Sequence, residues 1–559
     1  LMCPGMAKTN WKLASIDNSD VKRLEYGLGI SALTATVLVA RGFGSEGNAR
    51  SFLESSLEAL GDPFLLPDME PAVDRLIHAV ANDDHIVVLG HDDVDGMTAT
   101  TIVFGALKEI GADVAYYIPD SPTEGLGLSR ALVERFKKSG ARLIVTVDCG
   151  ISCKEEIAFA RSLGIDTIVT DHHEPPEELP PAVAVVDAKR RDSTYGFRDL
   201  AGCGVAYRFI EAFTRRYRQI AGPPSLDGTL GMAALGSYAD RVPLIGENRI
   251  LVRNGMRQVL QKRAVPFAVL KSHVWVDEES TMSEVFSKIM PILGAARSDG
   301  GGNLGCELLL ATEEDDAEEI LTSLVMECER KKERARRALE RVEEHLAAVG
   351  AGSGKSLVLV EEHLPNKTVG FCTSKVSESL GKPVVIISMR GEKGTGEARG
   401  PKGVDLVDAL SANKRFLLGY GGHKQAAGFS IERSKVDEFK ASFTDYLEGK
   451  LDPSVIRREI RIDGKLAADD LKIASLKALL CLEPFGEENR KPVFLLENLD
   501  AGVLKEIDGT MRLGEVTLCG GAMPADRSSN PGDKLSLVVS PFADGSVRSV
   551  EIVDWKSAK

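Results

Sequence analysis

The sequence predicts a mixed α/β protein with a parallel-sheet domain, a second α/β domain reached through a long helix, and a small C-terminal β-barrel. Three observations predict it. Short apolar runs alternate with helical stretches between residues 86 and 186; one unbroken helical pattern fills residues 313–349; and beyond residue 450 strand-like stretches are separated by turn sequences.

In chain order, the run Ile86–Leu89 predicts a buried strand and residues 99–110 a helix. Residues 114–118, Leu143–Val147, 167–169 and 182–186 predict further strands, and 129–139 a second helix. Strands interleaved with helices form parallel sheets, which bind ligands beyond the carboxyl ends of their strands. Asp93, Asp148 and His172 each stand just past such a strand. The long helix opens with Thr312 and Asp315 as a capping box and is closed by Gly350. Its mixed acids and bases predict a solvated interdomain strut. Residues 356–360 and 384–388 predict strands of the second α/β domain. Residues 534–539 and 546–553, with the turns Asn530-Pro531-Gly532 and Ala543-Asp544-Gly545, predict the barrel. Gly350-Ala-Gly-Ser-Gly-Lys355-Ser356 imitates a phosphate loop, but it leaves a helix and enters a strand, so we read it as a helix terminator.

Composition narrows the function. At 559 residues the chain exceeds a single core, and no apolar run is long enough to span a bilayer. The first ten residues lack the pattern of a signal peptide, so a cytoplasmic location is expected. Nine cysteines without a CxxC pair indicate neither a zinc finger nor a disulfide framework. A net charge of −14 disfavours a surface that grips nucleic acid all over, but it suits a protein that neutralises some acids with metal ions.

The chemistry concentrates in His91-Asp92-Asp93-Val94-Asp95-Gly96. A strand ending in alternating acids would point Asp93 and Asp95, with His91, to one side, where a divalent cation is the natural counter-charge. A solvated acidic loop is the alternative for this segment alone. Asp148-Cys149-Gly150 adds a carboxylate able to bridge two metals, Asp171-His172-His173 adds imidazoles, and Asp240 is a further acid in apolar surroundings. Together they suit two cations.

These motifs resemble the four motifs of the DHH phosphoesterase superfamily. Within it the chain resembles the RecJ single-stranded-DNA exonucleases, through Leu200-Ala-Gly-Cys-Gly-Val205, Ala239-Asp240-Arg-Val-Pro, Gly421-Gly422-His423 and Leu482-Glu-Pro-Phe-Gly-Glu-Glu-Asn489. The resemblance implies a helical extension over 1–75, a DHH catalytic domain over 76–255 and a connecting region with the long helix over 256–349. A DHHA1 substrate-binding domain over 350–450 and an OB-like nucleic-acid-binding domain over 451–559 would follow. It implies two Mn2+ or Mg2+ ions, one held by His91, Asp93 and Asp148, the other by Asp95, Asp148, His172 and Asp240. His173, Arg297, Arg399, Gly421, Gly422 and His423 would contact substrate. The implied activity is hydrolysis of single-stranded DNA from the 5′ end to mononucleotides, in repair and recombination. A monomer is expected, with a single-strand-binding protein or a helicase as candidate partners.

The chain also departs from the family pattern. His91 stands where most RecJ proteins carry Asp; Ser121 and Leu126 replace a usual arginine and tyrosine; and the segment around Gly294 lacks the usual Arg-Ile-Asn-Ala. These changes leave room for a DHH phosphodiesterase acting on short oligonucleotides or cyclic dinucleotides, and a non-catalytic DHH scaffold is the alternative of a different class.

Overall fold

The buried runs Ile86–Leu89 and Leu143–Val147 lie side by side in a five-stranded, all-parallel sheet of the computed structural model. The structure describes residues 9–120, 124, 125, 127–261, 264–274, 280–296, 298, 299, 302–350, 354–451, 459–507, 510–520 and 534–558. The strand order across the sheet is Val114–Tyr117, Ile86–Leu89, Leu143–Val147, Asp166–Thr170, Ala184–Val186. The chain therefore winds one way from Ile86–Leu89 and the other way from Leu143–Val147. The gap between those two strands is the switch point at which such sheets open a crevice.

Alternation along each strand divides the core. Ile86 and Val88 join helices Met69–Ala81, Val94–Glu109 and Gly202–Tyr217 on one face. Val87 and Leu89 join Arg130–Lys138 and Lys154–Ser162 on the other. A further apolar cluster joins Thr229–Ala239, Gly246–Leu260, Val265–Val274 and Met282–Leu293 to the start of the long helix, through Phe267, Phe286 and Leu324. Two sequence expectations shift here. The helix expected over 99–110 begins at Val94, because Asp93 caps it, and the strand expected over 182–186 begins at Ala184.

The chain divides into two units, one of residues 14–328 with 462–559, the other of residues 329–461 with the first 13. The C-terminal part of the first unit holds a seven-stranded sheet that includes Phe494–Asp500, Lys534–Pro541 and Ser549–Ala558. Its core is shared with the N-terminal helices Asn18–Leu28, Ala32–Ala40 and Glu46–Glu54 through Leu24, Leu38 and Phe52 against Leu479, Phe494 and Phe542. The turn expected at Asn530-Pro531-Gly532 lies outside the described residues.

The second unit is a five-stranded sheet in the order Leu417–His423, Ala426–Glu432, Lys393–Arg399, Val384–Arg390, Leu357–Glu362. Helices Asn366–Leu380, Leu406–Ala412 and Val436–Lys450 surround it. The long helix is Glu314–Val349, and Gly350 ends it at φ 74°. Lys355 of the false phosphate loop donates to the carbonyls of Glu448 and Leu451, at 2.8 and 2.6 Å, and so has a structural task. No described helix is long and apolar enough to cross a membrane.

Inside the first unit, the Leu482–Asn489 motif is clamped by one buried side chain. Arg249 donates through Nε to the Phe52 carbonyl at 2.8 Å and through Nη1 and Nη2 to the Leu482 and Cys481 carbonyls at 3.0 and 3.3 Å. Its guanidinium lies 3.7 Å from the Phe52 ring centroid. The Glu483 carboxylate then accepts the amides of Met282 and Ser283 at the start of helix Met282–Leu293. Arg249→Met keeps the aliphatic stem but removes three charged hydrogen bonds and the contact with the Phe52 ring, leaving the carbonyls only their second donors, Ser55 on Phe52, Asn489 on Leu482 and Arg253 on Cys481. It should lower stability by on the order of 3 kcal/mol, read as a fall in the denaturant midpoint; an unchanged midpoint would remove the clamp.

Candidate metal centre

The loop after Ile86–Leu89 does not continue as a strand. Asp93 is the N-cap of helix Val94–Glu109, its Oδ1 accepting from the Gly96 amide at 2.9 Å, and Asp95 sits in the first helical turn. The strand-alternation argument that places His91, Asp93 and Asp95 on one side is therefore wrong for this segment. The helical turn sends Asp93 and Asp95 into two different clusters. Gly96 is required by crowding, since a Cβ there would lie 2.5 Å from the His91 Cβ.

Asp95 is almost fully buried, and both of its oxygens are satisfied by the N-terminus of helix Gly202–Tyr217: Oδ2 accepts from Gly202 N at 2.7 Å and Oδ1 from Cys203 N at 2.8 Å. Anionic charge at a helix N-terminus is stabilised by the unpaired amides and the helix dipole. Asp148 follows Leu143–Val147 with φ 58°, a left-handed conformation that turns its side chain into the crevice. Its Oδ1 is buried and has no hydrogen-bond partner. A Cβ on Gly202 would lie 2.5 Å from that oxygen, so the glycine makes room for the carboxylate.

Asp171 has a different environment. Oδ2 accepts from Ile151 N at 3.0 Å, and Oδ1 from the amides of His172 and His173 at 2.8 and 3.2 Å and from His173 Nδ1 at 2.8 Å. Burial opposes its ionisation, but His173 and these amides outweigh burial and hold its pKa below the usual carboxylate value. The same contact raises the pKa of His173. Asp171 orients the imidazole beside it.

His172 Nε2 lies 3.1 Å from Asp148 Oδ1 and 3.8 Å from Asp95 Oδ2, and its Nδ1 lies 3.8 Å from Asp240 Oδ2. Burial lowers its pKa, which favours the neutral, metal-binding form. His91 Nδ1 is 3.1 Å from Asp93 Oδ2, within ion-pairing distance but without the alignment of a hydrogen bond. Asp240 caps the C-terminus of helix Thr229–Ala239, where the dipole adds nothing favourable for an anion. Burial, with Asp95 and Asp93 nearby, pushes its carboxyl up to about 7. Burial and Asp95 likewise push Asp148 well above its usual value.

Ligand atoms gather within 4.8 Å of one another in three sets: His91, Asp93 and Asp148; Asp95, His172 and Asp240; and Asp148, His172 and His173. The Asp148 oxygen without a partner, the crowded carboxylates and the neutral imidazole fit divalent cations, which would supply the missing positive charge.

The other sequence-derived candidates lie elsewhere. Arg399 and His423 both register opposite Ala426, on the two strands flanking Ala426–Glu432, so they occupy one row of the second unit's sheet with Gly421 and Gly422 alongside. Arg399 Nη1 donates to Glu397 Oε2 at 2.7 Å. Arg297, Ser121 and Leu126 lie outside the described residues, whereas Gly294 caps helix Met282–Leu293. Glu124, from the Glu-Gly-x-Gly loop, accepts from the Tyr117 hydroxyl at 2.7 Å, which in turn accepts from Arg135 at 2.8 Å. Sequence reading missed Asp187 and Lys189, which follow the strand Ala184–Val186; the sequence offers no signal for them beyond that position.

Comparison with known proteins gives this geometry a family. Residues 85–237 match the DHH family N-terminal domain, 353–449 the DHHA1 domain and 462–519 the RecJ OB domain. The chain is 31% identical over 466 residues to the single-stranded-DNA-specific exonuclease RecJ of Salmonella typhimurium, covering 79% of this chain and 80% of that protein. The chain belongs to the RecJ family. RecJ of Bacillus subtilis is 29% identical over 559 residues, 99% of this chain and 70% of that protein. The crystal structure of Thermus thermophilus RecJ in complex with Mn2+ superposes with a TM-score of 0.80 at 25% identity, covering 98% of this chain and 80% of that one. The same RecJ with Mg2+ gives a TM-score of 0.76.

A cation can use Asp240 only as the carboxylate. Mn2+ binding below about pH 7 should therefore release a proton, with affinity rising through that pH and levelling above it. Calorimetric titrations near pH 6 and near pH 8, in buffers of different ionisation enthalpy, measure the release; none at the lower pH would contradict it. The raised pKa also means that the metal-free fold binds a proton more tightly than the unfolded chain, whose carboxyl titrates near 3.8. Metal-free stability should then fall as pH rises from about 4 to 7. Asp240→Asn should flatten that slope and raise the metal-free Tm near pH 8 while weakening Mn2+ binding.

Proposed function

We propose that this RecJ-family chain is a two-metal-dependent exonuclease that hydrolyses single-stranded DNA from its 5′ end and releases mononucleotides. The observation that carries this reading is the pair of ligand sets, His91 with Asp93 and Asp148, and Asp95 with His172 and Asp240, joined by an Asp148 oxygen that no protein group satisfies. Two bound cations would supply Lewis-acid charge for a phosphodiester and lower the pKa of a water at the site.

The chain's own groups do the rest. Asp171 fixes the His173 ring through Nδ1, leaving Nε2 to face a phosphate oxygen, and the same contact raises its pKa, which favours the doubly protonated, donating form. Asp95 is held rigid by two amides, so one ligand set cannot drift. Arg297, Arg399, Gly421, Gly422 and His423 are assigned to the terminal nucleotide. Guanidinium groups suit phosphate, and glycine backbone allows close approach of a sugar-phosphate chain. The RecJ OB domain supports long strands over dinucleotides, because an extended platform adds contacts along the strand.

Digestion of 5′- and 3′-end-labelled strands with Mn2+ tests activity, polarity and product size together. Mononucleotide release from the 5′ end is expected, with strands of about twenty bases cut faster than dinucleotides. Release from the 3′ end, or a preference for dinucleotides, would overturn the corresponding part of the proposal. Asp148→Ala should reduce cleavage by at least about 1,000-fold while leaving the far-ultraviolet spectrum unchanged.

A further inference from the structure

Strand Ala184–Val186 runs parallel beside Asp166–Thr170, with Val186 opposite Thr170, and the Asp171 amide donates to the Val186 carbonyl at 3.1 Å. The residues leaving these strands, Asp171-His172-His173 and Asp187-Ala188-Lys189, therefore start out from one sheet edge as neighbours. The second segment is held in place. Asp187, fully buried, accepts the Lys189 amide on Oδ1 at 2.7 Å, and Arg198 donates to the Lys189 carbonyl. Lys189 itself is half-buried.

The Lys189 ammonium is near the metal centre without being consumed by it. Its charge reaches His172, His173 and Asp240 electrostatically. Among the described residues no carboxylate lies within ion-pairing distance of it, although its charge also acts on the buried Asp187. Charge balance gives it a task. The carboxylates of Asp93, Asp95, Asp148 and Asp240 cancel two divalent cations, and Asp171 is matched by His173. A phosphodiester brings one negative charge and gains more as it is attacked, and within the first unit only His173, already paired with Asp171, is otherwise assigned to meet it.

We propose that Lys189 is a phosphate-contacting residue of this site, its ammonium holding a non-bridging oxygen of the scissile phosphodiester. This rests on the nuclease reading above. A flexible lysine suits the task, since it can follow an oxygen whose charge grows without fixed bidentate geometry.

The test compares Lys189→Ala and Lys189→Arg with the unaltered chain in three measurements. Single-turnover cleavage of a labelled strand in Mn2+ should fall by on the order of 100-fold in Lys189→Ala and recover most of that loss in Lys189→Arg. The logarithmic salt dependence of binding the same strand, measured in Ca2+, should weaken by about 0.7 in Lys189→Ala, the value for one lost phosphate contact on a single strand. Mn2+ affinity by calorimetry should stay unchanged or tighten. Cleavage and salt dependence both equal to those of the unaltered chain would overturn the proposal, and so would a loss of Mn2+ binding, which would make Lys189 a structural support. If the unaltered chain releases no nucleotide, the nuclease reading fails by itself, while the salt dependence still decides whether Lys189 meets phosphate.

Discussion

Asp95, Asp148 and Asp171 are buried within one small region, and keeping three carboxylates there is the constraint around which the first unit is arranged. A buried carboxylate is tolerated only when hydrogen bonds or counter-charge replace its water. The compensation is uneven. Asp171 receives three amides and an imidazole, and Asp95 receives two amides, but Asp148 Oδ1 receives nothing. The satisfied groups orient and the unsatisfied one waits for a cation. The glycines follow from the same constraint. A Cβ on Gly236 would lie 2.8 Å from Asp95 Oδ1, and one on Gly202 would strike Asp148, so two helices approach the acids only because these positions carry no side chain.

Sheet topology explains why residues so distant in sequence meet. Each ligand-bearing loop leaves the carboxyl end of a parallel strand, and the two central loops leave the strands on either side of the switch point. Asp240 arrives from a different layer, at the end of helix Thr229–Ala239, which packs beside Val94–Glu109 in the same unit. The helix ends offer the acids different hydrogen bonding. Asp95 lies against a helix N-terminus, whereas Asp240 ends a helix and is pushed up to about 7. The ionisation of this more weakly supported carboxylate is therefore coupled to metal binding near neutral pH, as is that of Asp148, which burial and Asp95 also push up.

The strands are largely legible in the sequence because a parallel strand buried on both faces must be a short apolar run, and Leu143–Val147 appears with the expected bounds. The long helix is legible through its terminal glycine, although it begins at Glu314, one residue later than the Thr312–Asp315 capping box would set. The first acidic loop is legible as chemistry but not as geometry. Strand alternation does not extend past Leu89, because Asp93 three residues before Gly96 is also a helix-capping pattern, and the cap prevails. Other features have no local trace. The N-terminal helices share a core with a sheet more than four hundred residues away, and Arg249 ties Phe52 to Leu482, 197 and 233 residues from it in the chain. Lys189 sits in an ordinary loop and gains meaning only because Val186 pairs with Thr170. Periodicity reports the neighbours of a residue along its own element, and none of these contacts is of that kind.

His91 shows how charge connects these features. A carboxylate at this position would add one negative charge to the same cluster of donors, and the imidazole does not. With a neutral imidazole there, the four ligand carboxylates balance two divalent ions, and an arriving phosphate meets a neutral centre. With a carboxylate there, the same two ions would leave one negative charge uncompensated, and phosphate would meet repulsion that other cations had to offset. The exchange therefore acts on electrostatics more than on coordination, since imidazole nitrogen and carboxylate oxygen both bind Mn2+. A neutral centre is also the setting in which one half-buried lysine, with no ion-pair partner among the described residues, has the greatest effect, because the metal ligands then hold no excess of acid to compete with the substrate for its charge.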